Sequence, residues 1–137
     1  EKVYFKRGCL KPALAELRLV YGKKRAFIVT DEFLYKSGAC KKITDELDGL
    51  QIAYTVFFGV TPDPTLACTR EGAKRMAEFA PDVIIALGGG SSMDTAKAMK
   101  EGHTNGTLEG DLESAKNARA AYESWLRDEA AIAVAKV

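Results

Sequence analysis

Val83-Ile84-Ile85-Ala86-Leu87 contains no polar residue, and Gly88-Gly89-Gly90 follows it without a break. A strand with one wet face alternates apolar and polar residues, whereas a parallel strand covered on both faces reads as an unbroken apolar run. The segment therefore predicts a strand with helices above and below it. The glycines end that strand in a turn, and Ser91 to Met99 carries a helical pattern out of the turn.

The residues before it repeat the same alternation. Val3-Tyr4-Phe5 is a short strand candidate, and Leu14, Leu17 and Tyr21 recur at helical spacing behind Pro12, with Gly22 placed to end the helix. Arg25 to Thr30 predicts a buried strand. After Asp31 a helical pattern puts Cys40, Ile43, Leu47 and Leu50 on one face, with Gly38 interrupting its early part. Ile52 to Phe58 suits a further strand, being rich in β-branched and aromatic residues. Thr61-Pro62-Asp63-Pro64 is a rigid connection, because two prolines remove two donors, and Leu66, Ala73, Met76 and Ala80 mark the next helix. Strands alternating with helices imply right-handed crossovers and a doubly wound parallel sheet, an α/β fold of Rossmann-like half-domain type. Ligands in such sheets gather at the carboxyl ends of the strands, which singles out the segments after Thr30, Phe58 and Leu87.

The character changes after Lys100. Gly102 to Thr107, closed by Gly110, reads as a turn-rich connector that holds His103. From Asp111 onward, Leu112, Ala115, Tyr122, Trp125 and Leu126 form a loose apolar stripe on one long C-terminal helix of unclear origin. Trp125 suits an anchor against the core or against a partner chain. Two regions are expected, a cofactor-type domain over 1–100 and the connector and helix over 101–137.

A formal net charge of +1 argues against a nucleic-acid partner or an anionic membrane surface. The basic runs Lys23-Lys24-Arg25 and Lys41-Lys42 read as solvated surface. No apolar stretch approaches the ~20 residues that cross a bilayer, and no signal sequence opens the chain. Cys9, Cys40 and Cys68 are widely spaced and odd in number, so they suggest neither a zinc ribbon nor a disulfide scaffold. Packing thiols in a reducing cytoplasm are expected.

Chemistry concentrates at the Gly-rich turn. Glycines there allow a ligand to approach the backbone without meeting a β-carbon, and the following helix offers unpaired N–H groups to a pyrophosphate. The motif is neither GxGxxG nor a Walker loop. Local structure supplies a competing account, because Ser91 and Asp94 match a capping box. Asp31 stands at another carboxyl edge. It suits a ribose diol and would repel a 2′-phosphate, favouring NAD over NADP, but it equally suits a helix N-cap. Asp63 could lie against a cofactor or simply begin a helix.

Taken together, Lys2 to Gly8, Phe27 to Asp31, Val60 to Thr65 and Leu87 to Asp94 resemble the iron-type alcohol dehydrogenases. The likeness is greatest to the alcohol dehydrogenase half of bifunctional aldehyde–alcohol dehydrogenases, and it covers roughly residues 1 to 100. It implies that Asp31 meets the adenosine ribose and that Asp63 lies beside the cofactor. It further implies that Gly89, Gly90 and Ser91 hold the pyrophosphate of NAD, with Asp94 near the nicotinamide end. An aldehyde dehydrogenase half would precede the segment, which agrees with the absence of an initiator Met. Family members interconvert aldehydes and alcohols, typically acetaldehyde in the bifunctional enzymes, with iron or zinc polarising the oxygen.

The resemblance places the metal ligands, one Asp and three His, beyond the point this chain reaches, together with a Thr-rich segment that completes the nicotinamide site. A single histidine, His103, cannot supply a three-histidine set. The chain alone is therefore expected to be inactive, and three readings follow. It is the NAD-binding portion of such a dehydrogenase, working in contact with the remainder of a larger enzyme. It is a non-catalytic binding or assembly module, self-associating through its terminal helix. Or it belongs to a related phosphate-handling enzyme with the same turn.

Overall fold

Two strands with every position of their middles buried form the centre of the molecule. A computed structural model describes residues 3–62, 65–105 and 132–135. The central strands are β1 (Arg25–Asp31) and β3 (Val83–Leu87), paired in parallel with Ile28 opposite Ile85. Ala26 to Thr30 and all of Val83 to Leu87 are buried. The other strands are β2 (Ala53–Val60), parallel to β1, and β4 (Ile132–Ala135), parallel to β3, giving the order β2-β1-β3-β4.

Five helices complete the described residues: α1 (Leu10–Leu19), α2 (Glu32–Lys36), α3 (Ala39–Gly49), α4 (Leu66–Phe79) and α5 (Gly90–Asn105). Alternation along the strands divides the core into two layers. Ala26, Ile28, Ile85 and Leu87 pack with Leu14 and Leu17 of α1 and with Cys40, Ile43 and Leu47 of α3. Phe27, Val29, Ile84 and Ala86 turn the other way, onto Met76 of α4 and Ala96 and Met99 of α5. Each fully buried Phe, Leu, Ile or Met contributes roughly 1.5–3 kcal/mol relative to exposure, so the unbroken apolar strands are what hold both helix layers down.

The amino edge of the sheet is fastened by Asp82, whose carboxylate accepts from the N–H groups of Lys24 (2.8 Å) and Arg25 (2.9 Å). The Arg25 guanidinium donates to the Phe79 carbonyl at 2.6 Å and lies over the Phe79 ring. Arg25 is thus a structural clamp rather than part of a purely solvated basic run. Gly38, at φ 86°, separates α2 from α3, as its position in the sequence implies.

Several sequence expectations are corrected. Val3 to Phe5 form no strand, and Val3 and Phe5 stand exposed rather than packed against the sheet. Ala80 is not part of the α4 stripe but its left-handed C-cap, φ 53°, with its N–H bonded to the Met76 carbonyl at 2.8 Å. Gly102 to Asn105 continue α5 instead of forming a turn, so His103 is helical and exposed. Ile132 to Ala135 are a strand rather than the end of a long helix, because the free edge of β3 offers backbone partners to a β-branched run. The rest of the expected terminal helix, Trp125 included, lies outside the described residues.

Candidate functional site at the switch point of the sheet

From β1 the chain moves outward to β2, then crosses back over β1 to β3. The connections on either side of the β1–β3 pair therefore leave in opposite directions and on opposite faces. The carboxyl ends of β1 and β3 are thus the switch point of the sheet, the place where ligands bind in open sheets of this winding. Asp31 and the Gly88-Gly89-Gly90 turn stand at those two strand ends.

The three glycines differ in what they do. Gly88 takes φ 139°, and a β-carbon there would stand 2.6 Å from Ser92 Oγ and 3.3 Å from Leu34 Cδ1. Its role is to close the turn. Gly89 and Gly90 are exposed, and β-carbons built on them meet nothing within 4 Å. Nothing in the fold itself forbids side chains at these two positions, whereas a ligand lying against the backbone would.

Helix α5 starts at Gly90, and its first internal bond runs from the Met93 N–H to the Gly89 carbonyl at 3.2 Å. The amides just before Met93 have no acceptor within the helix, and they carry the positive end of its dipole. The turn therefore offers donors of the kind that receive a phosphate.

Ser91 departs from expectation. The capping box with Asp94 is not formed, because Gly90 is already helical and Ser91 sits inside the first turn rather than before it. Its hydroxyl instead donates to the Pro62 carbonyl at 3.0 Å, across 29 positions of sequence. Its own carbonyl accepts from Thr95 Oγ1 at 2.7 Å. Asp94 is exposed on the first turn of α5.

Asp31 is the N-cap of α2: its Oδ1 accepts from the Leu34 N–H at 2.8 Å. Oδ2 takes no part in that cap, so a single carboxylate can serve both as helix cap and as acceptor for a diol. Beside it, Tyr35 of α2 stacks on Phe58 of β2, ring centroids 4.2 Å apart and planes 7° from parallel. Such a pair adds roughly 0.5–1.5 kcal/mol and holds α2 against the β2 rim.

The β2–α4 connection is fastened at both ends. Thr65, not Asp63, is the N-cap of α4, accepting from the Cys68 N–H at 3.1 Å. The Cys68 thiol donates to the Gly59 carbonyl at 3.3 Å. Asp63 itself lies outside the described residues. Burial raises the thiol pKa of both Cys68 and Cys40, which keeps them protonated and unreactive as nucleophiles.

The sequence marked Pro62 as a chain break but gave no part in the site to its carbonyl, nor to Thr30. Thr30 ends the buried part of β1 with its Oγ1 lacking a hydrogen-bond partner, and its only sequence signal is a polar residue closing an apolar run. A shallow hollow of about 490 Å³ lined by Glu32, Phe33, Lys36 and Ser37 also exists. All four residues belong to α2 or its C-cap, so the hollow is walled by little more than one helical turn and does not include the glycines. The switch point, with donors and acceptors on two strand ends, is the better candidate. Among the described residues no three His, Cys, Asp or Glu side chains gather as a metal site would require.

The family model of iron-containing alcohol dehydrogenases matches residues 1–127. The bifunctional aldehyde-alcohol dehydrogenase of Escherichia coli K12 is 50% identical over 99 residues, covering 72% of this chain and 11% of that protein. The lactaldehyde reductase of the same organism is 36% identical over 99 residues, 72% of this chain and 26% of that one. Among solved structures, an iron-containing alcohol dehydrogenase of Thermotoga maritima superposes with a TM-score of 0.72 at 26% identity, covering 88% of this chain and 32% of the other. A 1,3-propanediol oxidoreductase gives 0.70 at 32% identity, covering 80% and 28%. The chain thus spans about a tenth to a third of the length of the proteins it matches.

Proposed function

The chain belongs to the iron-containing alcohol dehydrogenase family, and from that premise we propose that it is the NAD(H)-binding portion of an enzyme interconverting aldehydes and alcohols. The observation that carries this reading is the exposed Gly89-Gly90 backbone at the switch point, open on the side where α5 presents its amino end. The N–H groups of the turn and of the first turn of α5 bind the pyrophosphate. Asp31 takes the adenosine ribose through the oxygen its cap leaves over, and its charge disfavours a 2′-phosphate. Asp63 lies beside the cofactor and Asp94 near its nicotinamide end. When bound, the nicotinamide supplies or takes up hydride.

The described residues do not fit the family's metal. They hold no cluster of ligating side chains, and the sequence contains one histidine. No catalytic step is therefore assigned to this chain, and turnover belongs to a larger assembly that brings the metal-binding part. The bifunctional relative is an aldehyde-alcohol dehydrogenase, and acetaldehyde and ethanol, the pair the sequence resemblance implies, are the first substrates to test. Among the described residues no helix is long and apolar enough to cross a membrane, and a cytoplasmic enzyme is the corresponding proposal.

Calorimetric titration of the chain with NADH tests the reading, with Gly89→Val as control. Binding that the substitution abolishes supports a pyrophosphate site at the turn. No binding by a folded chain removes the reading and favours a scaffold without cofactor affinity.

A further inference from the structure

We infer that Ser91 is a positioning residue: its hydroxyl latches the β2–α4 connection to the Gly-rich turn and keeps that bond when cofactor binds, leaving the pyrophosphate to backbone amides. The inference deepens the NAD(H)-binding proposal and rests on it. A serine hydroxyl has one proton to donate. Here it goes to the Pro62 carbonyl at 3.0 Å, so the same proton is not available to a phosphate oxygen unless the latch opens.

The surroundings favour a latch that stays closed. Pro62 belongs to a connection whose anchors include two side chain–backbone bonds, Thr65 to the Cys68 N–H and the Cys68 thiol to the Gly59 carbonyl. Those two bonds tie the connection to β2 and α4 only. The Ser91 bond reaches the connection from the turn after β3, joining the segments that follow two strand ends. The phosphate has alternative donors, since the first amides of α5 lack acceptors within the helix. The Pro62 carbonyl is offered no such substitute by these two anchors. Ser91 is itself seated by the Thr95 hydroxyl bond to its carbonyl, which fixes the first turn of α5.

Amide hydrogen exchange at Val60, Thr61 and Thr65 in the 137-residue chain, with and without saturating NADH, tests this for the parent, Ser91→Ala and Ser91→Thr. Loss of one net hydrogen bond should speed exchange roughly three- to tenfold at these amides in Ser91→Ala, with unchanged rates in β1 and β3. Ser91→Thr, which keeps the hydroxyl, should restore the parent rates. In the parent, NADH should leave these amides as protected as before or more so. If NADH speeds them to the Ser91→Ala rate, the hydroxyl has moved to the phosphate and the latch is refuted. Equal exchange in the ligand-free parent and Ser91→Ala refutes it as well. If NADH binds neither protein, the cofactor reading fails, and the ligand-free comparison alone decides whether the latch exists.

Discussion

Ser92 fills with its hydroxyl oxygen the place where a side chain at Gly88 would begin: a β-carbon on Gly88 would stand 2.6 Å from Ser92 Oγ, against backbone at φ 139°. The neighbouring glycines have no such obstacle. Gly88→Ala is expected to destabilise the chain by about 1–3 kcal/mol, as residues forced into such conformations do. Gly89→Ala is expected to change stability by less than about 0.5 kcal/mol while weakening NADH binding. Urea unfolding combined with NADH titration separates the two. Equal stability losses at both positions would leave no reason to assign Gly89 to a ligand.

Asp31 caps α2, and its proposed contact with a cofactor ribose is separable from that cap. Asp31→Ala should cost about 0.5–2 kcal/mol through loss of the α2 cap. Asp31→Asn retains an oxygen for the Leu34 N–H and should cost less, yet it should narrow the preference for NAD over NADP. Thermal unfolding reads the cap and paired titrations with the two cofactors read the charge. An unchanged cofactor preference in Asp31→Asn reduces Asp31 to a helix cap.

Gly72 lets α4 approach α5 until a β-carbon there would lie within 2.9 Å of Met99 Cγ and closer still to the thioether. Glycine inside a helix normally costs about 0.5–1 kcal/mol against alanine, so its presence reflects this close approach. Gly72→Ala should nonetheless destabilise by roughly 1–2 kcal/mol through overpacking. In a Met99→Ala background the same change should become neutral or stabilising. A double-mutant cycle on the unfolding free energy measures the coupling, and additive effects would contradict the contact.

Burial raises the thiol pKa of Cys40 and Cys68 in the folded chain, from a reference of 9.0. The folded state then holds these protons more tightly than the unfolded state does. Stability from this source is complete below that reference and falls as pH rises past it, where the unfolded thiols ionise first. Denaturant titrations at pH 7.5 and 10 should show the fall, and Cys40→Ala should lessen it. Alkylation should be slowest at Cys40, the buried thiol. Rapid Cys40 modification in the folded chain would show that its helix opens readily.

The purified chain is expected to oxidise no NADH with acetaldehyde, with or without added iron or zinc. The basis is the absence of a ligand cluster among the described residues and the single histidine of the sequence. Metal-dependent turnover by the isolated chain would require a metal site outside the described residues.

What the sequence determined by itself is local and periodic. The apolar run Val83 to Leu87 could only be a strand covered on both faces, and it is buried throughout. Gly38, Pro62 and the Gly88 turn marked chain breaks, because backbone stereochemistry is a property of single residues. The same locality explains the misses. Val3 to Phe5 has strand-forming residues yet pairs with no strand, while Ile132 to Ala135 found the edge of β3. Strand pairing depends on what stands alongside, which no window of sequence contains. That Asp31 caps α2 likewise rests on where the Leu34 N–H stands, at its Oδ1. The tertiary structure alone decided the order β2-β1-β3-β4, and with it the switch point between β1 and β3. It alone brought Ser91 to Pro62, since a hydroxyl chooses among acceptors by distance in space and not along the chain.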